Sequence, residues 1–134
     1  MHRSILRQHA DPIDAIFVAV GGGGLIAGIA AYVKRLRPET RVIGVEPVDS
    51  DAMTQSLARG RRVRLPQVGL FADGVAVKQV GAETFRLCRK LVDEMVLVED
   101  RDLLEAIGLA AQTLGLLLEP SGAAGLAAIQ VHNL

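Results

Sequence analysis

The sequence predicts an α/β domain with a mostly parallel sheet flanked by helices. Short apolar runs rich in β-branched residues, DAIFVAV at 14–20 and RVIGVE at 41–46, are typical of buried parallel strands. A segment of helical length lies between these runs and stops before Pro38. Strand–helix–strand units of this kind make parallel sheets, because the connection has to cross over the sheet before the next strand begins.

Hydrophobic periodicity and breaker residues divide the rest of the chain. Residues 60–78 are expected to be irregular because they contain a proline and several glycines. Asp49 or Asp51 is expected to cap the helix after the second strand, and Asp100 or Asp102 the helix after the third. The predicted elements are strands at 14–20, 41–46 and 94–98 and helices at 25–36, 49–58, 81–92, 100–117 and 120–131. Three parallel strands make a thin sheet, so 1–134 is expected to be a single partial domain of a larger sheet.

Composition narrows the class of protein. Half of the 134 residues are hydrophobic, and 15 basic residues balance 15 acidic ones, which leaves no electrostatic footprint for nucleic acid. Cys88 is the only cysteine, so a disulfide framework is excluded and a small core residue is expected there. No apolar stretch reaches the ~20 residues of a membrane span, and the polar N-terminus does not resemble a signal peptide. We therefore expect a cytoplasmic protein without nucleic-acid or membrane partners.

Four consecutive glycines, 21–24, lie between the first predicted strand and the first predicted helix. The unpaired N–H groups and the positive dipole end of a helix attract anions, and glycine removes the side chains that would keep a phosphate away. The loop is therefore predicted to bind a phosphate group. The spacing Gly22-x-Gly24-x-x-Ala27, with Glu46 at the end of the next strand, also fits a dinucleotide-binding fingerprint. Both interpretations stay open at this point.

Four motifs carry a resemblance to a known family. They are VAVGGGGLIAG at 18–28, VEP at 45–47, GLFADGVAVK at 69–78 and LEPSGA at 118–123. In this order they resemble the pyridoxal-phosphate-dependent threonine dehydratases and, more distantly, serine racemase and the serine dehydratases. The resemblance covers about residues 14–130 and implies the C-terminal part of a fold-type-II, tryptophan-synthase-β-like catalytic domain with pyridoxal 5′-phosphate as cofactor.

The resemblance also implies roles for particular residues. Gly74, with Asp73, matches a backbone segment that passes close to the cofactor ring, Glu119 matches a carboxylate near the ring, and Ser121 follows it at a helix start. No metal is predicted, because Ala52 stands where some relatives carry a second acid. The residues that match the family's phosphate loop are Gly21, Gly22, Gly23, Gly24 and Leu25.

The sequence departs from the family in two motifs. The Ser-x-Lys-x-Arg-Gly-like segment of the Schiff-base lysine and the Ser-Gly-Gly/Ala-Asn motif of the pyridine-nitrogen partner are absent. The three lysines present, Lys34, Lys78 and Lys90, are interpreted as surface residues, so no catalytic residue is assigned. The resemblance implies a homo-oligomeric parent enzyme that deaminates L-threonine, or L-serine, to a 2-oxo acid and ammonia in isoleucine biosynthesis. This chain alone is expected to be inactive, and the alternatives are an NAD-type dinucleotide-binding module or a non-catalytic remnant that binds a partner.

Overall fold

A computed structural model describes residues 2–132 of the chain, and these residues form three layers with a parallel sheet in the middle. The strands are β1 (Ala15–Ala19), β2 (Arg41–Pro47) and β3 (Glu94–Val98). All pairings are parallel, and the strand order is β1-β2-β3. The predicted α/β class with a parallel sheet is confirmed.

Helices cover both faces of the sheet, which is the arrangement that a parallel sheet requires. Two 3₁₀ turns interrupt the connections, at Asp73–Val75 and Ser121–Ala123. The helices are α1 (His2–Gln8), α2 (Gly24–Leu36), α3 (Ala52–Arg59), α4 (Ala82–Leu91), α5 (Asp100–Leu114) and α6 (Ala124–Val131).

The side chains of each strand point alternately to the two faces of the sheet and pack into two separate hydrophobic cores. On one face, Val18 and Val42 pack with residues of α2, α3 and α4 such as Ile26 and Met53. On the other face, β2 and β3 pack with α5, α6 and the 3₁₀ turns. The second core is rich in alanine, and α6 approaches β1 so closely that a Cβ at Gly125 would lie 3.3 Å from the Phe17 carbonyl oxygen. The two cores pack against opposite faces of β1, and the glycine loop follows its carboxyl end.

Several expectations about element ends need correction. The helix predicted at 49–58 begins at Ala52, and the helix predicted at 120–131 begins with the 3₁₀ turn Ser121–Ala123. Residues 2–8 form α1, which the polar character of this segment did not predict. Helix α5 ends at Leu114, three residues short of the predicted end, because Gly115 takes a left-handed conformation with φ of 65°. Glu99, and neither Asp100 nor Asp102, is the N-cap residue of α5, although the Asp102 carboxylate accepts a hydrogen bond from the Glu99 N–H at 2.8 Å.

The expectation of a small core residue at position 88 is confirmed. Cys88 is buried, and burial raises the pKa of its thiol to about 11. No helix within residues 2–132 is long and apolar enough to cross a membrane.

Candidate functional site

The glycine loop joins the end of β1 to the first turn of α2, where backbone N–H groups lack partners. Gly23 is the N-cap residue of α2 and has φ of 101°, in the left-handed region that favours glycine. The backbone amides of residues 21–25 donate no hydrogen bond to another backbone group within the described part of the chain. Five successive unpaired amides therefore lie at the positive end of a 13-residue helix.

The four glycines fall into two classes by their surroundings. A Cβ at Gly22 or Gly24 would have no atom within 4 Å, and both residues are exposed. A Cβ at Gly23 would lie 2.8 Å from the Met53 side chain and 2.9 Å from Thr84. The loop is thus packed against the protein on one side and open on the other, and the open side is accessible to a small anion.

The fold brings the other predicted site residues to the same place. A Cβ at Gly21 would lie 3.5 Å from the carbonyl oxygen of Gly74. A Cβ at Gly74 would in turn lie 2.8 Å from Ser121 Oγ and 3.7 Å from Glu119 Oε1. Residues that are 45 to 53 positions apart in the sequence therefore form one continuous cluster of backbone and small side chains.

Ser121 adds a polar group that no other described residue uses. Its side chain is only 8% exposed, and Oγ has no hydrogen-bond partner among the described residues. A cleft of about 370 Å³ opens beside it, and its lining includes Leu25, Glu119, Gly122 and Phe17 of β1. Buried hydroxyl groups are normally paired, so an unused one that borders a cleft marks a place where a ligand atom can bind.

Two residues that the sequence analysis did not single out hold the loop from behind. The Gly22 carbonyl oxygen accepts a hydrogen bond from the Gly81 N–H at 3.1 Å and another from Thr84 Oγ1 at 2.6 Å. Gly81 is the N-cap residue of α4, and Thr84 lies in its first turn. The helix start was predicted at Gly81, but nothing in the sequence placed it beside a loop about 60 residues earlier.

The Glu46 carboxylate has a local structural role at the start of α3. It is completely buried, and its two oxygens accept hydrogen bonds from the N–H groups of Met53 (2.9 Å) and Thr54 (2.8 Å) at the start of α3. Burial is the largest influence on this carboxyl group and raises its pKa from 4.5 to about 7. The dinucleotide alternative needs a carboxylate that faces a ribose, whereas both oxygens of Glu46 accept hydrogen bonds from the start of α3.

The same contacts revise the predicted cap of α3. Asp51 is the N-cap residue, but its carboxylate accepts a hydrogen bond from the Gln55 side chain at 2.9 Å instead of from the helix backbone. The Asp49 carboxylate lies against Gly69, where a Cβ would overlap Oδ2 of the aspartate. Glu46 performs the capping function that was expected of these two aspartates, because the end of β2 points its side chain at the open N–H groups of α3.

The three lysines do not line the cleft. Lys34 is partly buried, and its Nζ lies 2.6 Å from Asp93 Oδ2 and 2.8 Å from the Thr40 carbonyl oxygen, so the expectation of a freely solvated side chain was wrong there. Lys78 and Lys90 are exposed, as expected. Within residues 2–132, no group of three or more His, Cys, Asp or Glu side chains is arranged to hold a metal ion.

Sequence comparison finds relatives with one activity in their names. The chain is 57% identical over 128 residues to the biosynthetic L-threonine dehydratase of Burkholderia multivorans, an alignment that covers 96% of this chain and 25% of that protein. It is 56% identical over 128 residues to the chloroplastic biosynthetic threonine dehydratase of Arabidopsis thaliana, with 96% and 22% covered. The chain thus spans about a quarter of the length of these relatives.

Solved structures agree with the sequence comparison. The processed form of threonine deaminase isoform 2 from Solanum lycopersicum matches with a TM-score of 0.91 and 48% identity, over 94% of this chain and 36% of that chain. Maize serine racemase matches with a TM-score of 0.90 and 37% identity, over 95% and 39%. The sequence profile of the pyridoxal-phosphate dependent enzymes matches residues 2–134. The chain therefore belongs to the family of pyridoxal-phosphate dependent enzymes.

Proposed function

We propose that this chain supplies the phosphate-binding side of the cofactor site in a pyridoxal-phosphate-dependent lyase. The observation that carries the proposal is the run of unpaired amides at residues 21–25, at the N-terminus of α2 and beside open space at Gly22 and Gly24. Amides arranged in this way bind a phosphate without a lysine or arginine, because the helix dipole and the N–H groups supply the positive charge.

The remaining site residues fit the rest of the cofactor. The cleft of about 370 Å³ lies within the range of ligand pockets. Gly74 has no side chain where one would strike Ser121 Oγ, so its backbone is free to pass close to a flat ring. Ser121 offers an unused hydroxyl group, and Glu119 supplies a carboxylate in the same cleft. The proposed cofactor-binding set is Gly21, Gly22, Gly23, Gly24, Leu25, Gly74 and Glu119.

The chemistry divides between cofactor and protein. Pyridoxal phosphate, when bound, supplies an electron sink for carbanion chemistry on an amino acid. The residues of this chain would fix its position: the loop amides would hold the phosphate, and Gly74 and Glu119 would border the ring. Positioning of this kind is a substantial part of catalysis. No residue of the chain is proposed as the catalytic base.

The parent reaction is proposed from the relatives. We infer that the complete enzyme deaminates L-threonine, with L-serine as the alternative substrate, to a 2-oxo acid and ammonia in isoleucine biosynthesis. The support is 57% and 56% identity to two proteins named as biosynthetic threonine dehydratases. Homo-oligomeric assembly stays a prediction from the resemblance, and a cytoplasmic location stays a prediction from the composition and the N-terminal sequence.

The open edge of the sheet supports the proposal that this chain is part of a larger catalytic domain. Hydrogen bonds from Arg41 N to Asp14 O and from Val20 N to Val45 O fix which residues of β1 face β2. Backbone groups alternate in direction along a strand, so those of Ala15, Phe17 and Ala19 point to the free edge. A mostly apolar strand edge without a partner among the described residues offers a row of backbone groups to which another strand can pair.

The proposed phosphate cradle, which is the set of backbone amides of residues 21–25, is tested by nuclear magnetic resonance of the ¹⁵N-labelled chain during titration with pyridoxal phosphate. Saturable shifts of the amides of residues 21–25 are expected, and Gly22→Ala should weaken binding at least tenfold because a methyl group enters the open side of the loop. Gly28→Ala is the matched control: Gly28 lies within α2, outside the loop, and like Gly22 it has no atom within 4 Å of its Cβ position. Saturable binding of NAD without any response to pyridoxal phosphate would contradict the proposal.

The parent activity is tested in a chimera, because the two sequences align over most of this chain. The aligned segment of the Burkholderia multivorans enzyme is replaced by this chain, and release of 2-oxo acid from L-threonine and from L-serine is measured. We expect activity within about tenfold of the unmodified enzyme on L-threonine. A folded chimera that binds pyridoxal phosphate but releases 2-oxo acid from neither substrate would refute the proposed reaction.

A further inference from the structure

We infer that Thr84 is a positioning residue for the glycine loop: its hydroxyl group fixes the Gly22 carbonyl and thereby aims the Gly23 N–H at the bound anion. The inference rests on the proposed phosphate cradle and extends it to a residue outside the family motifs. Thr84 lies 62 residues from Gly22 in the sequence and donates from Oγ1 to the Gly22 carbonyl oxygen at 2.6 Å.

The direction of the Gly23 N–H follows from the geometry of one peptide unit. The Gly22–Gly23 peptide is trans, so its C=O and N–H point in opposite directions. The C=O points at the N-terminus of α4, where the Gly81 N–H also donates to it at 3.1 Å. The Gly23 N–H must therefore point away from α4, toward the open side of the loop where Gly22 and Gly24 have free space.

The hydroxyl group of Thr84 has one proton and two acceptors within reach. The Gly22 oxygen lies at 2.6 Å and the Gly81 oxygen at 3.1 Å. The shorter contact has the length of a strong O–H···O hydrogen bond, so the proton belongs to Gly22 and the bond within α4 is secondary. The contact therefore does more than stabilise the first turn of α4.

Thr84 also restricts the loop by contact. A Cβ at Gly23 would lie 2.9 Å from both Cβ and Oγ1 of Thr84. The loop thus rests on the threonine side chain, and the left-handed conformation of Gly23 brings it there. A side chain of similar shape without the hydroxyl group should keep this contact and lose the hold on the carbonyl.

The test compares Thr84→Val, which removes the hydroxyl group and keeps the shape, with Thr84→Ser, which keeps the hydroxyl group. Thr113→Val is the matched control, because the Thr113 hydroxyl also donates to a backbone carbonyl, that of Leu109, in α5. The first readout needs no ligand: exchange of the Gly81 amide proton should accelerate at least tenfold in Thr84→Val and less than twofold in the other two variants.

The second readout is the shift of the Gly23 amide on titration with pyridoxal phosphate and, separately, with inorganic phosphate. Thr84→Val should weaken the affinity for both ligands at least fivefold, and Thr84→Ser should have wild-type affinity for both. If Thr84→Val does not fold, Thr84→Ala replaces it with the same expectations. Equal affinity of wild type and Thr84→Val would overturn the positioning role and leave the cradle intact. If the wild-type loop amides do not respond to either ligand, the proposed phosphate cradle is wrong. Unchanged exchange of the Gly81 amide in Thr84→Val would separately overturn the proposal that the Thr84 hydroxyl group fixes the loop.

Discussion

The Glu46 carboxylate accepts hydrogen bonds from both the backbone N–H and the hydroxyl group of Thr54, at 2.8 and 2.6 Å. A completely buried acid thus caps α3 from the end of the neighbouring strand. Helix N-termini favour a negative charge, but transfer of a carboxylate out of water opposes it. Desolvation is the larger influence here, and the pKa of Glu46 rises from 4.5 to about 7.

Glu46 makes the stability of the fold depend on pH. In the unfolded chain the group titrates near 4.5 and in the folded chain near 7, so between these values the folded state binds more protons. Its contribution is therefore fully present below pH 4.5 and is lost as the pH rises through 7, a total of roughly 3 kcal/mol at 1.4 kcal/mol per pKa unit. Urea unfolding from pH 4.5 to 8 measures this contribution as a fall of the free energy of unfolding with rising pH. This pH-dependent slope should disappear in Glu46→Gln. A slope that survives in Glu46→Gln would assign it to another group.

Gly23→Ala should destabilise the fold by about 2 kcal/mol or more, because a non-glycine residue is strained at this positive φ. Its new Cβ would also lie 2.8 Å from the Met53 side chain in the first core. Gly22→Ala is the control in the same loop, since a Cβ there meets no atom within 4 Å. In thermal unfolding, the free energy of unfolding of Gly22→Ala should lie within about 1 kcal/mol of the wild-type value. Similar losses in both variants would mean that the loop has a different conformation in solution.

Ser121→Ala should leave the ligand-free chain as stable as wild type or up to about 1 kcal/mol more stable, because it removes a buried hydroxyl group that has no partner. The same change should weaken binding of pyridoxal phosphate, since the hydroxyl group borders the cleft. Chemical unfolding and titration of one protein preparation measure both effects. A loss of stability above 1 kcal/mol without a change in affinity would assign Ser121 a purely structural role.

The sequence predicted those parts of the fold that depend on local patterns. The three strands and the glycine loop follow from apolar runs and breaker residues, and both lie where expected. The approach of Gly74 to Ser121 could be expected only through the family resemblance, because no local pattern links residues so far apart. The roles of Glu46 and Thr84 could not be predicted, since each side chain acts on a backbone group that only the tertiary fold brings within reach.

The purified chain should not release 2-oxo acid from L-threonine, because none of its lysines lines the cleft of the proposed cofactor site. Lys34 lies ten residues beyond the start of α2, about 15 Å along the helix at 1.5 Å per residue, and is held by Asp93. Lys78 and Lys90 are exposed and do not line the cleft. Incubation with pyridoxal phosphate, reduction with borohydride and mass analysis of the peptides should therefore find no stoichiometric adduct on any of the three. An adduct on Lys78 together with turnover would mean that the chain holds a complete active site, and the proposal that it supplies only the phosphate side would be wrong.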